Sequence, residues 1–444
     1  MRRGFGLEVA AIALVVSSCT VGPSEIPSPP ATVSLSASPG PTAAVSSTPA
    51  PTASASSASG LPIVRTTALG QVTGNWLFYG VRIPRPEPDR IEVQIAAVPV
   101  GGGAATIVVA FDAHITTRTN SGTFDISDNA PYLRRRFSPD GRRMVLSIDG
   151  QLVVVDLVSG QAKPLGVRGY YPSWSRDGSQ IAFVLEKPVA DTGATAFPIG
   201  VVPAAGGSPR ELRASRLPYS SSTVMVAVLV CVFPCISYDD ASIEWSPDGS
   251  RIFSVNHYPP GDCADVCPDH ATMEVATGRI GTRIGWVSLA PSYAHWRAGS
   301  PELAIATRSV SVSDLTSGSN SMIVGIDEGT GNVRTLVDVA EQVQLRDPRW
   351  NPAVADELLY VAERADFFET HVVNIRTGKD TRLPISAYEA TWIWDGSAIA
   401  YLAKSPGLSF GSALHVWKRD GSGETELRRA TGGQAFFSIA SVNY

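Results

Sequence analysis

From about residue 75 onward, apolar and polar positions alternate over short runs that glycine-containing turns separate. The clearest stretch, Arg134–Leu165, reads RRRFSPDGRRMVLSIDGQLVVVDLVSGQAKPL. A short first segment precedes a Pro-Asp-Gly turn, and Asp149-Gly150 and Ser159-Gly160 mark two further turns between apolar runs. Asp-Gly supplies the positive φ angles that tight hairpins need, and proline fixes the φ angle at the entry to a turn. The pattern predicts a four-stranded antiparallel meander.

The same frame recurs along the rest of the chain. FSPDG occupies 137–141, WSRDG 174–178 and WSPDG 245–249, and weaker copies open at Ser292, Arg346 and Tyr388. A single sheet of this kind exposes an apolar face, whereas blades arranged radially bury those faces against one another. The repeat therefore predicts an all-β chain, a β-propeller of four-stranded antiparallel blades.

An aromatic residue followed by Ser-Pro-Asp-Gly resembles the repeat of the TolB-like β-propellers. The resemblance covers the chain from about residue 75 to its end and implies the same fold. Because this repeat serves many roles, it predicts architecture rather than activity. We interpret SPDG as turn chemistry between the first two strands of a blade. A metal-binding or catalytic role for its aspartates is the alternative.

The two ends of the repeat region complement each other. Residues 75–81 and 90–111 supply three apolar strands without an SPDG opening, and QAFFSIASVNY (434–444) is an apolar strand with nothing after it. We expect this last strand to complete the first blade, because that closure removes the exposed sheet edges. Seven blades result. Six is the alternative, if the first or the fifth unit is an insertion.

The N-terminus has the pattern of an export signal. Arg2 and Arg3 precede the apolar run Val9–Val16, which is too short to span a bilayer as a helix. VSSC at 16–19 is similar to the lipobox of bacterial lipoproteins. That resemblance implies a signal peptide over 1–18 and a mature chain that begins at a lipidated Cys19. An ordinary secretory signal with a chance cysteine is the alternative.

Composition then divides the remainder. From Val21 to Gly60 the chain is mostly Pro, Ser, Thr, Ala and Val with Glu25 as its only charge, which predicts a disordered tether over 19–60. Residues 61–444 are predicted to form the propeller. A net charge of −5 gives no indication of nucleic-acid binding. We expect a monomer without a cofactor, held outside the cytoplasm on the bacterial membrane by its lipid.

Four further cysteines lie in two predicted loops of one blade: Cys231, Cys235, Cys263 and Cys267. In an exported protein this number favours two disulfides. Three pairings are possible, and we favour bonds that join the two loops. A zinc site made by all four thiolates is the competing interpretation, although CxxxC is not the usual spacing.

Long irregular segments are predicted to gather at the end of the blades opposite the SPDG turns. Loops on a rigid scaffold are where binding residues concentrate. The candidate binding face comprises Asp239, Asp240, His257, Asp262, Asp265, Asp269 and His270. A solvated acidic rim is the other interpretation of these residues, since no calcium-loop spacing is present.

These features predict a binding scaffold for an envelope protein or glycan. The alternative is a channel-centred enzyme or ligand-binding propeller that acts on a saccharide or lactone. GLSFG (407–411) fits the Gly-x-Ser-x-Gly pattern of hydrolases, but no strand-to-helix context or downstream triad accompanies it. The two hypotheses differ in one observable. Acidic, basic or histidine side chains that converge on the channel from several blades would favour the second.

Overall fold

The computed structural model describes residues 65–70, 72–87, 90–114, 133–185, 199–212, 243–256, 269–284, 294–309, 320–339, 343–364, 367–404 and 411–444. Secondary structure in these ranges consists of β-strands and one 3-10 turn, η1 (Leu133–Arg136), so the all-β prediction is confirmed. No helix within them is long and apolar enough to cross a bilayer. The predicted signal peptide and tether lie outside the described residues.

Consecutive strands pair as antiparallel meanders, numbered here as blades from the N-terminus. Blades 4, 5 and 6 are separate four-stranded sheets, blades 2 and 3 share β7 in a six-stranded sheet, and blades 1 and 7 belong to one nine-stranded sheet. Blade 1 contains β1 (Arg65–Thr66), β2 (Asn75–Pro84), β3 (Arg90–Pro99) and β4 (Thr106–His114). Blade 2 contains η1, β5 (Arg143–Ile148), β6 (Gln151–Asp156) and the first half of β7 (Ala162–Trp174). The second half of β7 opens blade 3, which continues with β8 (Gln180–Leu185), β9 (Ile199–Pro203) and β10 (Arg210–Leu212).

The later blades repeat this order. Blade 4 is β11 (Ile243–Trp245), β12 (Arg251–Asn256), β13 (Asp269–Glu274) and β14 (Ile280–Ile284), and blade 5 is β15 (Ala294–Trp296), β16 (Glu302–Ser309), β17 (Asn320–Asp327) and β18 (Asn332–Val339). Blade 6 is β19 (Gln344–Trp350), β20 (Glu357–Glu363), β21 (Phe368–Asn374) and β22 (Lys379–Arg382), and blade 7 is β23 (Glu389–Trp392), β24 (Ala398–Lys404), β25 (Gly411–Lys418) and β26 (Glu424–Arg429). The described strands thus form seven units, while the blade number of the whole chain stays a prediction.

The C-terminal strand closes the ring. β27 (Ala435–Asn443) pairs antiparallel with β2 over registers that run from Asn75↔Asn443 to Arg82↔Ala435, and so becomes the first strand of blade 1. A Cβ at Gly80 would lie 2.0 Å from Cζ of Phe437, so only glycine lets this ring pack on β2. The predicted closure by the last strand is confirmed.

Apolar cores lie between neighbouring blades. Phe78 and Met144 belong to the core between blades 1 and 2, whereas Leu77 belongs to the core between blades 7 and 1. The alternation of side chains along β2 therefore places Leu77 and Phe78 in two different cores. This two-sided burial is the reason that the second and third strands read as nearly continuous apolar runs.

The SPDG turns are held by their own side chains. Ser246 Oγ donates to Asp248 Oδ1 at 2.6 Å, and the same oxygen of Asp248 accepts from Ser250 N at 3.0 Å. Arg251 N donates back to Ser246 Oγ at 2.9 Å, and Gly249 has a φ of 71°. The turns at 138–143 and 175–180 repeat these bonds. The aspartates therefore stabilise the turns by hydrogen bonding, as the repeat predicted.

Blade 2 departs from the predicted pattern at its first strand. Residues 133–136 form η1, and only Phe137 makes an isolated bridge, to Met144. The tighter winding lets the side chains of Arg135 and Arg136 turn inward, where both are buried. An alternating strand would place these two neighbours on opposite faces.

Candidate functional site

A cavity of about 350 Å³ lies where the first strands of the blades end, beside the SPDG turns. Every numbered blade contributes to its lining, from Phe137 in blade 2 around the ring to Asn443 on β27. This volume falls within the range of pockets for small ligands, which runs from about 300 to 1,000 Å³. The site is therefore the centre of the ring on the short-turn side.

Tryptophans form the wall of the cavity, and five of their indole N–H groups hold neighbouring blades together. Each Nε1–H donates to a carbonyl on the first element of the preceding blade, which is η1 in blade 2 and a strand in the others. The bonds are Trp174 to Arg136 at 2.8 Å, Trp245 to Ser173 at 3.1 Å, Trp296 to Glu244 at 3.3 Å, Trp350 to His295 at 3.1 Å and Trp392 to Arg349 at 3.0 Å. The acceptor is always the residue just before the aromatic position of its own blade. The tryptophan of the repeat thus links neighbouring blades through a hydrogen bond.

The two interfaces that involve blade 1 use other groups, because blade 1 has no tryptophan at this position and blade 2 has Phe137. Ser438 of β27 accepts from Leu133 N at 3.3 Å on one side and donates to Glu389 Oε1 at 3.1 Å on the other. Phe137 packs against Phe78 with ring centroids 4.6 Å apart. One hydroxyl therefore bridges blades 2, 1 and 7.

The residue before each of five wall tryptophans adds a polar side chain to the lining. These residues are Ser173, Glu244, His295, Arg349 and Thr391. His295 Nδ1 accepts from Trp350 N at 2.8 Å, which makes Nδ1 the unprotonated ring nitrogen. At this position the backbone carbonyl links neighbouring blades, whereas the side chain differs from blade to blade and lines the cavity.

Arg135 crosses the channel. Its Nε lies 2.7 Å from Glu244 Oε2 in blade 4, and its Nη2 donates to the carbonyl of Ala294 in blade 5 at 2.9 Å. The side chains of Arg135 and Glu244 are each only 7% exposed. A buried pair of this kind is held by its geometry, because removing one partner leaves an uncompensated charge.

A second cluster of polar side chains lies farther from the SPDG turns than the cavity wall, on blades 6, 7 and 1. Arg349 forms an ion pair with Asp347, and Glu389 Oε1 accepts from Ile439 N at 3.3 Å as well as from Ser438. Removal from water raises the pKa of Glu389 to about 8, and the negative charge of Asp347 adds to the rise. Glu389 is therefore mostly protonated at neutral pH.

The backbone is unusual at this depth. Asp347 has a φ of 57° and Tyr171 a φ of 53°, and each stands three residues before a wall tryptophan. Residues with side chains rarely adopt the left-handed region, and such conformations concentrate at functional sites. The strain at Asp347 places its carboxylate next to Arg349.

Trp394 stands at the mouth of the cavity. It occupies the position that proline holds in SPDG, and it is 54% exposed. Its backbone N–H donates to Ser441 Oγ at 3.0 Å, which fixes the turn against β27. A large aromatic side chain that is half in solvent beside a pocket is a candidate contact for a ligand.

Most residues of the sequence-predicted binding face lie outside the described residues. This holds for Asp239, Asp240, His257, Asp262 and Asp265, and also for Cys19, Cys231, Cys235, Cys263 and Cys267. Asp269 and His270 were expected in a loop but open β13, where their backbones pair with Asn256 and Val255. Their predicted role in binding stays a prediction.

Sequence reasoning did not identify the channel residues. Arg135, Glu244, Asp347, Arg349 and Glu389 come from separate strands or turns of the ring and form no local motif. Glu244 and Arg349 directly precede a tryptophan, and the other three stand two or three residues before an aromatic. The signal that could have found them was the presence of charged residues in a first strand that burial should make apolar. In the parts of the chain that the structure describes, no group of three or more His, Cys, Asp or Glu side chains could hold a metal ion.

No family model and no curated protein matches this sequence. Similar solved structures include TolB from Acinetobacter baumannii, at 15% identity and a TM-score of 0.41, covering 82% of this chain and 83% of that one. The periplasmic gluconolactonase of Pseudomonas aeruginosa is 15% identical with a TM-score of 0.47 over 82% and 99% of the chains. An oligogalacturonate lyase from Vibrio parahaemolyticus is 11% identical with a TM-score of 0.47 over 82% and 88%. At these identities the likeness concerns the fold alone.

Proposed function

We propose that this chain is an extracytoplasmic binding protein that holds a saccharide in its central cavity. The observation that carries the proposal is the convergence of Arg135, Glu244 and Arg349 on one cavity, next to the exposed ring of Trp394. Charged side chains from several blades meet in the channel, which is the arrangement that favours the channel-centred hypothesis over a featureless scaffold.

The buried charges of the cavity are already balanced, whereas the lining residue Arg176 is exposed to solvent, and this favours a ligand without strong net charge. Arg135 is paired with Glu244 and Arg349 with Asp347. The raised pKa of Glu389 keeps that carboxyl mostly neutral at pH 7. An anionic ligand would have to compete with the paired carboxylates for the guanidinium groups. Hydroxyl groups can instead donate to the carboxylates and accept from the guanidiniums while both pairs stay intact.

The mixture of aromatic and polar lining also fits a sugar ring. A pyranose has an apolar face of C–H groups and a rim of hydroxyls. The half-exposed ring of Trp394 offers an apolar surface of matching size, and the polar ring below it offers the hydrogen-bonding partners. The site therefore has the two kinds of contact that a saccharide needs.

Calorimetric titration of the full chain is the direct test of this function. The probes are methyl glycosides of glucose, galactose, mannose and N-acetylglucosamine together with their linear hexamers. We expect at least one sugar to bind and Trp394→Ala to weaken its hexamer about tenfold, in line with the loss of one aromatic contact. Phe367→Ala is the matched control, since Phe367 is 47% exposed in the turn between β20 and β21 and does not line the cavity. The absence of binding to every probe would refute the proposal.

The cell location belongs to the same proposal. The lipobox-like VSSC and the tether over 19–60 support a chain that is anchored to the membrane outside the cytoplasm by lipid on Cys19. Replacing Cys19 with serine should release the protein from the membrane fraction into the soluble extract. Retention of the Cys19→Ser variant in that fraction would argue against the lipid anchor.

A scaffold role at the opposite end of the ring is the second candidate, and the strand directions favour it. The connections over 115–132, 186–198, 213–242 and 257–268 all leave from the end away from the SPDG turns. Cross-linking from envelope extracts, with a variant shortened within 256–270 as the control, tests it. A protein captured by the full chain and lost by the shortened one would establish docking at this end.

A further inference from the structure

We infer that the cavity is closed at its inner end, so that the site takes the terminal unit of a saccharide chain end-on and excludes internal segments of a polymer. The inference rests on the proposed function and adds the class of saccharide to it. It follows from Arg135, which crosses the lumen from blade 2 to blades 4 and 5, and from buried polar contacts at a similar depth in blades 6, 7 and 1.

Arg135 closes the lumen by reaching from blade 2 to blades 4 and 5. The guanidinium of Arg135 contacts Glu244 at 2.7 Å and the carbonyl of Ala294 at 2.9 Å, so one side chain reaches from blade 2 across the lumen to blade 5. The 7% exposure of both charged side chains shows that little space remains around them. Because Arg135 and Glu244 also line the cavity, they form its floor.

Buried polar groups lie at a similar depth in blades 6, 7 and 1. Arg349 lines the cavity and pairs with Asp347 beneath it. Glu389 joins blade 7 to β27 through Ser438 and Ile439, and Ser438 in turn accepts from Leu133 N of blade 2. Contacts therefore run around the ring below the cavity, from blade 2 to blade 7 by way of β27.

A closed floor dictates how a chain molecule enters. A polymer cannot thread through the ring or lie across it within a cavity of about 350 Å³ whose walls are the first strands of all numbered blades. A terminal unit can descend to Arg135 and Glu244, and the units that follow it then pass the ring of Trp394 at the mouth. The floor thus contacts the terminal unit, and Trp394 contacts the rest.

The test compares the methyl glycosides and linear hexamers with unbranched polymers of the same sugars, by calorimetry and sedimentation of the full chain. End-on binding predicts that a methyl glycoside competes with its hexamer and that each polymer chain carries one protein at a given type of end. A polymer that carries many proteins, together with a methyl glycoside that does not compete, would overturn the end-on inference and leave saccharide binding intact. If no saccharide binds, the proposed function fails and the inference fails with it.

Two variants separate the floor from the mouth. Glu244→Gln keeps the shape of the side chain and changes the floor, so it should weaken the methyl glycoside and the hexamer by the same factor. Trp394→Ala should weaken the hexamer at least threefold more than the methyl glycoside. If Glu244→Gln weakened the hexamer but left the affinity for the methyl glycoside unchanged, the placement of the terminal unit on the floor would be contradicted. Thermal unfolding of each variant checks that the fold is retained.

Discussion

The indole nitrogen of Trp392 lies 3.0 Å from the carbonyl oxygen of Arg349, one blade back in the ring. The same bond joins four other pairs of neighbouring blades, and in each case the acceptor directly precedes the aromatic position of its own blade. In blades 3 to 6 each repeat therefore carries both halves of the inter-blade bond. Its tryptophan donates an indole N–H to the blade before it, and the carbonyl of the preceding residue accepts from the blade after it.

Trp296→Phe should destabilise the protein by about 1–3 kcal/mol, because the ring is kept while the buried carbonyl of Glu244 loses its donor. Urea unfolding at neutral pH measures the effect. Trp394→Phe is the control, since that side chain is 54% exposed, and its change should stay within about 0.5 kcal/mol. Equal losses in the two variants would show that ring packing, and not the indole bond, joins the blades.

The SPDG turns should weaken in acid. Hydrogen bonding from Ser175 Oγ, followed by bonds from Ser179, lowers the pKa of Asp177 to about 2, and Ser397 similarly lowers the pKa of Asp395. A carboxyl with a depressed pKa contributes stability above its unfolded pKa of about 3.9, and that contribution is lost as the pH falls through the folded value. The unfolding midpoint measured from about pH 6 to pH 2 should therefore drop over the lower half of this window.

Ser175→Ala is the matched variant for that experiment. It removes the first donor to Asp177, so the pKa of Asp177 should move back toward its usual value. The variant should be less stable at neutral pH and should lose less additional stability in acid. An acid limb identical to that of the unmodified chain would show that Asp177 does not contribute to it.

Glu389 should produce the opposite pH dependence. Its pKa is raised to about 8 by burial and by Asp347, so the folded state retains a proton that the unfolded state has released above about pH 4.3. Stability should fall as the pH rises from about 4.3 to 8 and level off above that window. Glu389→Gln keeps an acceptor for Ser438 and cannot ionise, so its advantage over the unmodified chain should grow between about pH 5 and pH 8. A constant difference would contradict the raised pKa.

Gly80→Ala tests the closure of the ring. The new Cβ would lie 2.0 Å from Cζ of Phe437, so overpacking should cost about 1–3 kcal/mol. Gly101→Ala is the control, since a Cβ on Gly101 would have nothing within 4 Å. Phe437→Leu in the Gly80→Ala background should recover part of the loss, and the double-mutant cycle measures the coupling. Additive effects would place the cost of Gly80→Ala elsewhere.

The fold was predictable because turns and strands are local. Asp149 and Gly150 have φ values of 47° and 76°, and they connect β5 and β6 as the sequence indicated. Even the non-local pairing of β2 with β27 was predictable, since an unpaired apolar strand at each end of the chain has few other partners. The 3-10 turn at Leu133–Arg136 was not, because RRRF fits an edge strand equally well.

The cavity was not predictable for a different reason. Glu244 and Arg135 are separated by blade 3 in the chain and meet only because the ring brings both first strands to its centre. Which side of a first strand faces the lumen depends on the register of the whole blade. The sequence shows charges beside tryptophans, but the partner of each charge is set by the geometry of the ring.

The position of β27 has a consequence for the order of folding during synthesis. Ribosomes produce β2 long before β27, so the inner edge of β2 has no partner until blades 2 to 7 have been synthesised. A product that stops before Ala435 would leave that edge open, together with the apolar faces of Leu77 and Phe78 on either side of it. β27 therefore determines when the ring can close, because the edge of β2 is buried only after residues 435–443 have been synthesised.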